Sequence, residues 1–227
     1  MSYLNNFVFG IYPYIALSIF LLGSLVRYER EQYTWKSDSS QLLYRGQLRL
    51  GNILFHIGIL GLFFGHLVGL LTPLWVWHFL GVSHPFKQLV AVVAGGLMGI
   101  ICLSGLSLLI FRRFTNPRIA AVTTKGDKIL LLWILGALLL GLATITQSVK
   151  HSDGSVMVLL MMWAQHLLTF QGDASSFMQQ VPLLFKLHIF MGMTLFVIFP
   201  FTRLVHVWSG FASVTYLVRP WQLVRRR

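Results

Sequence analysis

Apolar residues run in long unbroken stretches along this chain, and polar residues collect in the gaps between them. Neither the alternation of a half-buried strand nor the stripe of a soluble amphipathic helix dominates. The clearest stretch is Gly51 to Thr72, GNILFHIGILGLFFGHLVGLLT, which contains no Asp, Glu, Lys or Arg. At ~1.5 Å per residue its ~22 residues form a helix ~33 Å long, enough to cross a hydrocarbon core of ~30 Å. The same pattern predicts a first span from Leu4 to Val26, kinked by Pro13, and a third at roughly 86–111. A fourth follows at roughly 129–147 and a fifth from Leu184 to about Trp208. The apolar piece from Val156 to Phe170 is too short to cross, and is expected to lie in the interface or to pack on the bundle.

Charge fixes the orientation of these spans. Of the 18 lysines and arginines, five fall in 27–50, five in 112–128 and five from Arg203 onward, on alternate connections. Positive loops stay in the cytoplasm, so the expected topology has the amino end outside and the carboxyl end inside. The first span has no basic residue before Arg27 and is expected to be retained, not cleaved as a signal. The fold class is therefore all-α, an integral membrane bundle of five transmembrane helices. Residues 1–208 form the membrane domain, and 209–227 a cytoplasmic tail.

Composition narrows the function. With 56% apolar residues and six acidic ones, the chain is a membrane protein, and its formal charge of +12 reflects orientation and not binding of nucleic acid. The single cysteine, Cys102, lies inside an apolar run, so no disulfide framework or iron–sulfur ligand set is expected from this chain.

Histidine is the residue that does not suit its surroundings. Of eight, His78, His84, His151 and His166 fall in connections, while His56 and His66 lie in the second span and His188 and His206 in the fifth. An imidazole in lipid needs a proton path, a hydrogen bond between helices or a metal to offset its desolvation. The two spans are antiparallel, so depth pairs His56 with His206 and His66 with His188. The rises of ~15 Å and ~27 Å between histidines within each span put the midpoints of the pairs ~21 Å apart. On a continuous helix His188 and His206 would share one azimuth at ~100° per residue. A zinc or copper site would gather three or four ligands at one depth, and a proton channel would carry carboxylates in its spans. Two axial imidazoles per iron at two depths describe a pair of haems that move single electrons. Gly58, Gly61, Gly65 and Gly69 fall on one face of the second span, where a macrocycle or a neighbouring helix can approach.

Beyond the histidines, FGIYPYIA near the start, FHIGILGLFFGH followed by LTPLW, TNPRIAA, LHIFMGMTLF and FPFTRLVHVWS together resemble the gamma subunit of bacterial respiratory nitrate reductase, a membrane cytochrome b. The resemblance covers essentially the whole chain. It implies a multi-pass diheme subunit of the bacterial cytoplasmic (inner) membrane that oxidises menaquinol or ubiquinol near the outer face. Electrons would pass inward to an iron–sulfur beta subunit and then to a molybdenum-containing alpha subunit that reduces nitrate. It also implies His66 and His188 as axial ligands of the outer b-type haem, and His56 and His206 of the inner.

Lys87, in PFKQ, matches the lysine that helps bind quinol in this family, and Gly65, beside His66, is a further candidate for lining the quinol site with His66; on the residues alone Lys87 reads as an interfacial anchor. Arg112, Arg113 and Arg203 lie at the inner depth, where they would meet haem propionates or anchor the loops to anionic lipid. The tail from Ser209, with Trp221, would dock on the beta subunit or on anionic lipid. Two other functions share parts of this pattern: a diheme anchor for another reductase, and a haem-free transporter with packing histidines.

Overall fold

A lipid core offers no water to the backbone, so every N–H and C=O in a spanning segment must be satisfied within it, and a helix does this. The computed structural model describes residues 2–35, 48–150 and 153–210. Four long apolar helices come first: α1 (Tyr3–Arg30), α2 (Leu48–Leu71), α3 (His84–Thr115) and α4 (Lys125–Lys150). The shorter α5 (Ser155–Leu168) precedes α6 (Leu183–Ile198), whose apolar span runs Leu183–Phe201. All but α5 are long and apolar enough to cross a membrane, and no strand occurs among the described residues.

Local sequence explains the boundaries. α3 starts where Ser83 Oγ accepts from the Phe86 amide and Pro85 occupies the first turn, a position that needs no N–H. It ends at Asn116, whose side chain accepts from the Arg118 and Ile119 amides and opens the short helix Pro117–Val122. Both α3 and α4 extend beyond the expected 86–111 and 129–147, because polar residues at their ends find capping and ion-pair partners. Pro13 follows a π-helical turn at Phe7–Ile11 within α1. The carbonyl of Phe9, which an α-helical N–H at position 13 would have taken, accepts from Trp163 Nε1 at 2.9 Å.

One expectation is overturned. The fifth span is not a continuous helix to Trp208, because α6 stops at Ile198. Two 3₁₀ turns follow, Phe199–Phe201 and Arg203–Val205, with Thr202 extended between them. Pro200 cannot donate into the ladder, and Arg27 Nη1 donates to the carbonyls of Pro200 and Thr202 at 2.7 and 2.8 Å. The rise and shared azimuth reckoned from His188 to His206 along one straight helix therefore do not apply.

The helices neighbour one another in the order α2, α3, α4, α6, α1. α2 and α3 approach so closely that a Cβ on Gly58 would run into the Cys102 backbone, and one on Gly105 into the Phe55 amide. α4 meets α6 through Trp133 Nε1, which donates to the Met191 carbonyl at 3.1 Å. α6 meets α1 through the Tyr12 and Thr194 hydroxyls at 2.8 Å and the Tyr12–Phe190 ring stack. α5 is packed on the bundle: Met161, Trp163 and Leu167 are buried, and Gln165 caps α2 by donating to the Leu70 and Thr72 carbonyls. Ile57, Phe64 and Val68 of α2 and Leu97 and Ile100 of α3 stay exposed, the surface a bilayer covers. The tail beyond Gly210, including Trp221, lies outside the described residues.

Candidate functional site: two histidine pairs

α2 carries His56 and His66, α6 carries His188, and the turn after the break at Pro200 presents His206. The structure brings these four together as the antiparallel geometry predicts. The rings of His66 and His188 have centroids 5.9 Å apart, and those of His56 and His206 6.4 Å apart. Two metal–nitrogen bonds of ~2.0–2.1 Å, plus ~1.1 Å from each nitrogen to its ring centre, span ~6.3 Å. Each pair is thus spaced for one metal ion between two imidazoles. Among the described residues no three ligating side chains gather into one cluster.

Hydrogen bonds select the nitrogen that each ring presents. Nδ1 of His56 faces the Asn52 carbonyl at 2.8 Å, and Nδ1 of His66 the Leu62 carbonyl at 2.7 Å. Nδ1 of His188 faces the Ala137 carbonyl at 2.9 Å, and Nδ1 of His206 the Arg203 carbonyl at 2.6 Å. A carbonyl only accepts, so in all four Nδ1 carries the proton and Nε2 keeps its lone pair. This is how ligating histidines are oriented and made more basic. The residues present therefore fit two bis-imidazole haems, with His66 and His188 able to hold one and His56 and His206 the other.

The glycines of α2 divide into two roles. Gly58 and Gly61 serve helix packing, against Cys102 and Met98 of α3, whereas a Cβ at Gly65 or Gly69 would meet no atom within 4 Å. Gly65 therefore sits beside His66 with room on its face, as a residue lining a flat ligand should. Lys87 is buried close to this end of α2, its Nζ donating to the Gly69 carbonyl at 2.9 Å and to Met161 Sδ at 2.7 Å. The Trp77 ring covers it, with the ammonium 4.4 Å from the centroid. An interfacial anchor would hold its charge in water, and Lys87 does not.

At the opposite end the three expected arginines differ. Arg112 is buried. Arg203 and Arg113 converge on Asp127 of α4, Arg203 at 2.7 Å and Arg113 at 3.5 Å. Arg113 and Arg203 therefore share a carboxylate from the chain itself. Asp127 is one of only six acidic residues, and its place among the basic residues of the 112–128 connection was the signal in the sequence that would have found it. Arg27 and Ala137 do not stand out in the sequence, because each acts through a contact between helices.

Of the histidines in connections, His78 and His84 meet edge to face at 5.3 Å. His166 Nδ1 lies 2.7 Å from Asp173 Oδ1, and this hydrogen bond holds the carboxyl below the usual carboxylate range. His151 lies outside the described residues.

Comparison with known proteins gives consistent matches along the whole chain. The family described as nitrate reductase gamma subunit matches residues 5–227. The respiratory nitrate reductase 1 gamma chain of Escherichia coli (strain K12) is 49% identical over 227 residues, all of both chains. The respiratory nitrate reductase 2 gamma chain of the same strain is 48% identical over 228 residues, covering 100% of this chain and 99% of that one. The nitrate reductase gamma chain of Bacillus subtilis (strain 168) is 37% identical over 223 residues, covering 98% of this chain and 99% of that one.

Proposed function

The chain belongs to the nitrate reductase gamma subunit family, and on that premise we propose that it oxidises quinol at its His66/His188 end and conducts electrons to its His56/His206 end. It is the membrane anchor subunit of a respiratory nitrate reductase, a multi-pass protein of the inner membrane. The finer reading adds two b-type haems, an outward-facing quinol site, an iron–sulfur beta subunit against the inner end and a molybdenum-containing alpha subunit beyond it. The amino end faces out. The substrate is menaquinol or ubiquinol.

One observation carries the reading: four imidazoles, paired across two antiparallel segments, each tethered at Nδ1 so that Nε2 is left to ligate. When bound, the haems supply one-electron transfer between the two ends. The chain does the rest. Each carbonyl tether holds one imidazole in the tautomer that donates from Nε2 and keeps its ring from turning. An iron held by both imidazoles of a pair would keep no position for oxygen.

Lys87 serves the substrate. An ammonium has three donors, and two are used on the Gly69 carbonyl and Met161. The third is the one a quinol oxygen would take, held in place by the Trp77 face and Met161. Asp127 keeps Arg113 and Arg203 folded against the inner end, where the turn carrying His206 begins.

The test is a haem count with a visible spectrum. The purified complex should contain two b-type haems per chain, and His66→Ala should remove one of them. That variant should lose nitrate reduction driven by quinol and retain reduction driven by a dye that feeds the partner subunits directly. Two intact haems in His66→Ala, or a reduced protein without a b-type alpha band, would overturn the assignment.

A further inference from the structure

Three of the four imidazoles are tethered by their own segment: His56 by Asn52, His66 by Leu62 and His206 by Arg203. His188 alone is tethered by another helix, through the Ala137 carbonyl of α4 at 2.9 Å. That carbonyl lies in the helical register to bond the amide of Gly141, four residues on. A side chain at position 141 would stand over the carbonyl's second lone pair. Glycine leaves it open: a Cβ built there would lie 2.8 Å from Cε1 and 3.3 Å from Nδ1 of His188.

We propose that Gly141 and the Ala137 carbonyl form a cradle on α4 that sets the ring plane and donor strength of His188, and so tunes one haem separately from the other. This rests on the haem reading above and assigns positioning roles to two residues that do not touch iron. The direction follows from the hydrogen bond. A carbonyl accepting from Nδ1–H makes Nε2 the stronger donor, which favours ferric iron and lowers the potential. Pushing the ring off the carbonyl weakens the donor and raises the potential. His56, His66 and His206 are untouched, so the effect is confined to one of the two centres.

Gly136 supplies the control on the same helix. A Cβ there would meet only the flexible end of Met191, with Cε at 3.1 Å, and no imidazole. The experiment is potentiometric titration with low-temperature electron paramagnetic resonance on the membrane-bound complex, comparing Gly141→Ala, Gly136→Ala and the unaltered chain. In Gly141→Ala one midpoint potential should rise and one low-spin signal should shift, while the second haem and both centres of Gly136→Ala keep their original values. Both potentials unmoved in Gly141→Ala, or both moved together, overturns the proposal.

A second measurement leaves Gly141 and the carbonyl at position 137 in place. With alanine labelled at its carbonyl carbon, the oxidised-minus-reduced infrared spectrum should show a label-sensitive band that Ala137→Gly removes from the labelled set, since glycine keeps the carbonyl and not the label. A spectrum without that band also overturns the proposal. Absence of any haem in the unaltered chain would instead sink the reading on which it rests, so the two failures are distinguishable.

Discussion

Arg203 grips Asp127 through two nitrogens, Nε and Nη2, both 2.7 Å from Oδ1. The acid comes from the first turn of α4 and the base from the 3₁₀ turn that leads into His206, so this contact ties one end of the bundle together. Arg113 of α3 approaches the same carboxylate at 3.5 Å.

Asp127→Asn should therefore leave two guanidiniums without their carboxylate. Breaking a largely shielded pair costs about 2–4 kcal/mol. The purified complex is expected to unfold at a lower temperature, with the haem at the His56/His206 end lost first. An unchanged melting curve would show that the pair is ornamental.

Arg27 braces the break in the last span by donating to the carbonyls of Pro200 and Thr202. Arg27→Ala removes both charge-assisted hydrogen bonds to the break, along with one to the exposed Thr34 carbonyl, and the loss of the two at the break, worth together about 2–3 kcal/mol, corresponds to a ~30-fold or greater loss of amide protection. Hydrogen exchange should show that loss in 199–206 and not in α6 proper. Equal exchange in both chains would count against the brace.

The divided roles of the α2 and α3 glycines can be checked directly. Gly105→Ala places a methyl in the Phe55 backbone, and helix separation must grow at a cost of about 1–3 kcal/mol or more. Poor accumulation of the protein in membranes is expected. Gly65→Ala meets nothing within 4 Å and should accumulate normally, with changes restricted to haem signals and quinol kinetics. The reverse ranking on an immunoblot would reject the division.

Lys87→Met tests charge at nearly constant volume. Packing under Trp77 and against Met161 should survive, and both haems should remain visible. Quinol-driven turnover is expected to fall at least tenfold, about 1.4 kcal/mol of lost transition-state binding. Unaltered kcat/KM for quinol would return Lys87 to a purely structural role.

The spans and the histidine pairs were legible because lipid imposes rules that act on single segments. Length and the absence of charge define Gly51 to Thr72 as a crossing helix, and antiparallel direction alone sorts His56 with His206 and His66 with His188. What failed to show was tertiary. The sequence FPFTRLVH holds the proline that ends α6, yet its apolar flanks masked the stop. Gly141 is one glycine among 20, and only the arrival of His188 from another helix distinguishes it. Arg27 looks like a last-turn anchor until the carbonyls of Pro200 and Thr202 are seen to converge on it.

The interruption at Pro200 also means that His206 is not carried by the rod that carries His188. The terminal turn that bears it is clamped instead to α1 through Arg27 and to α4 through Asp127. His188 leans on the Ala137 carbonyl and His206 on the Arg203 carbonyl, so the two imidazole pairs are seated by separate sets of contacts.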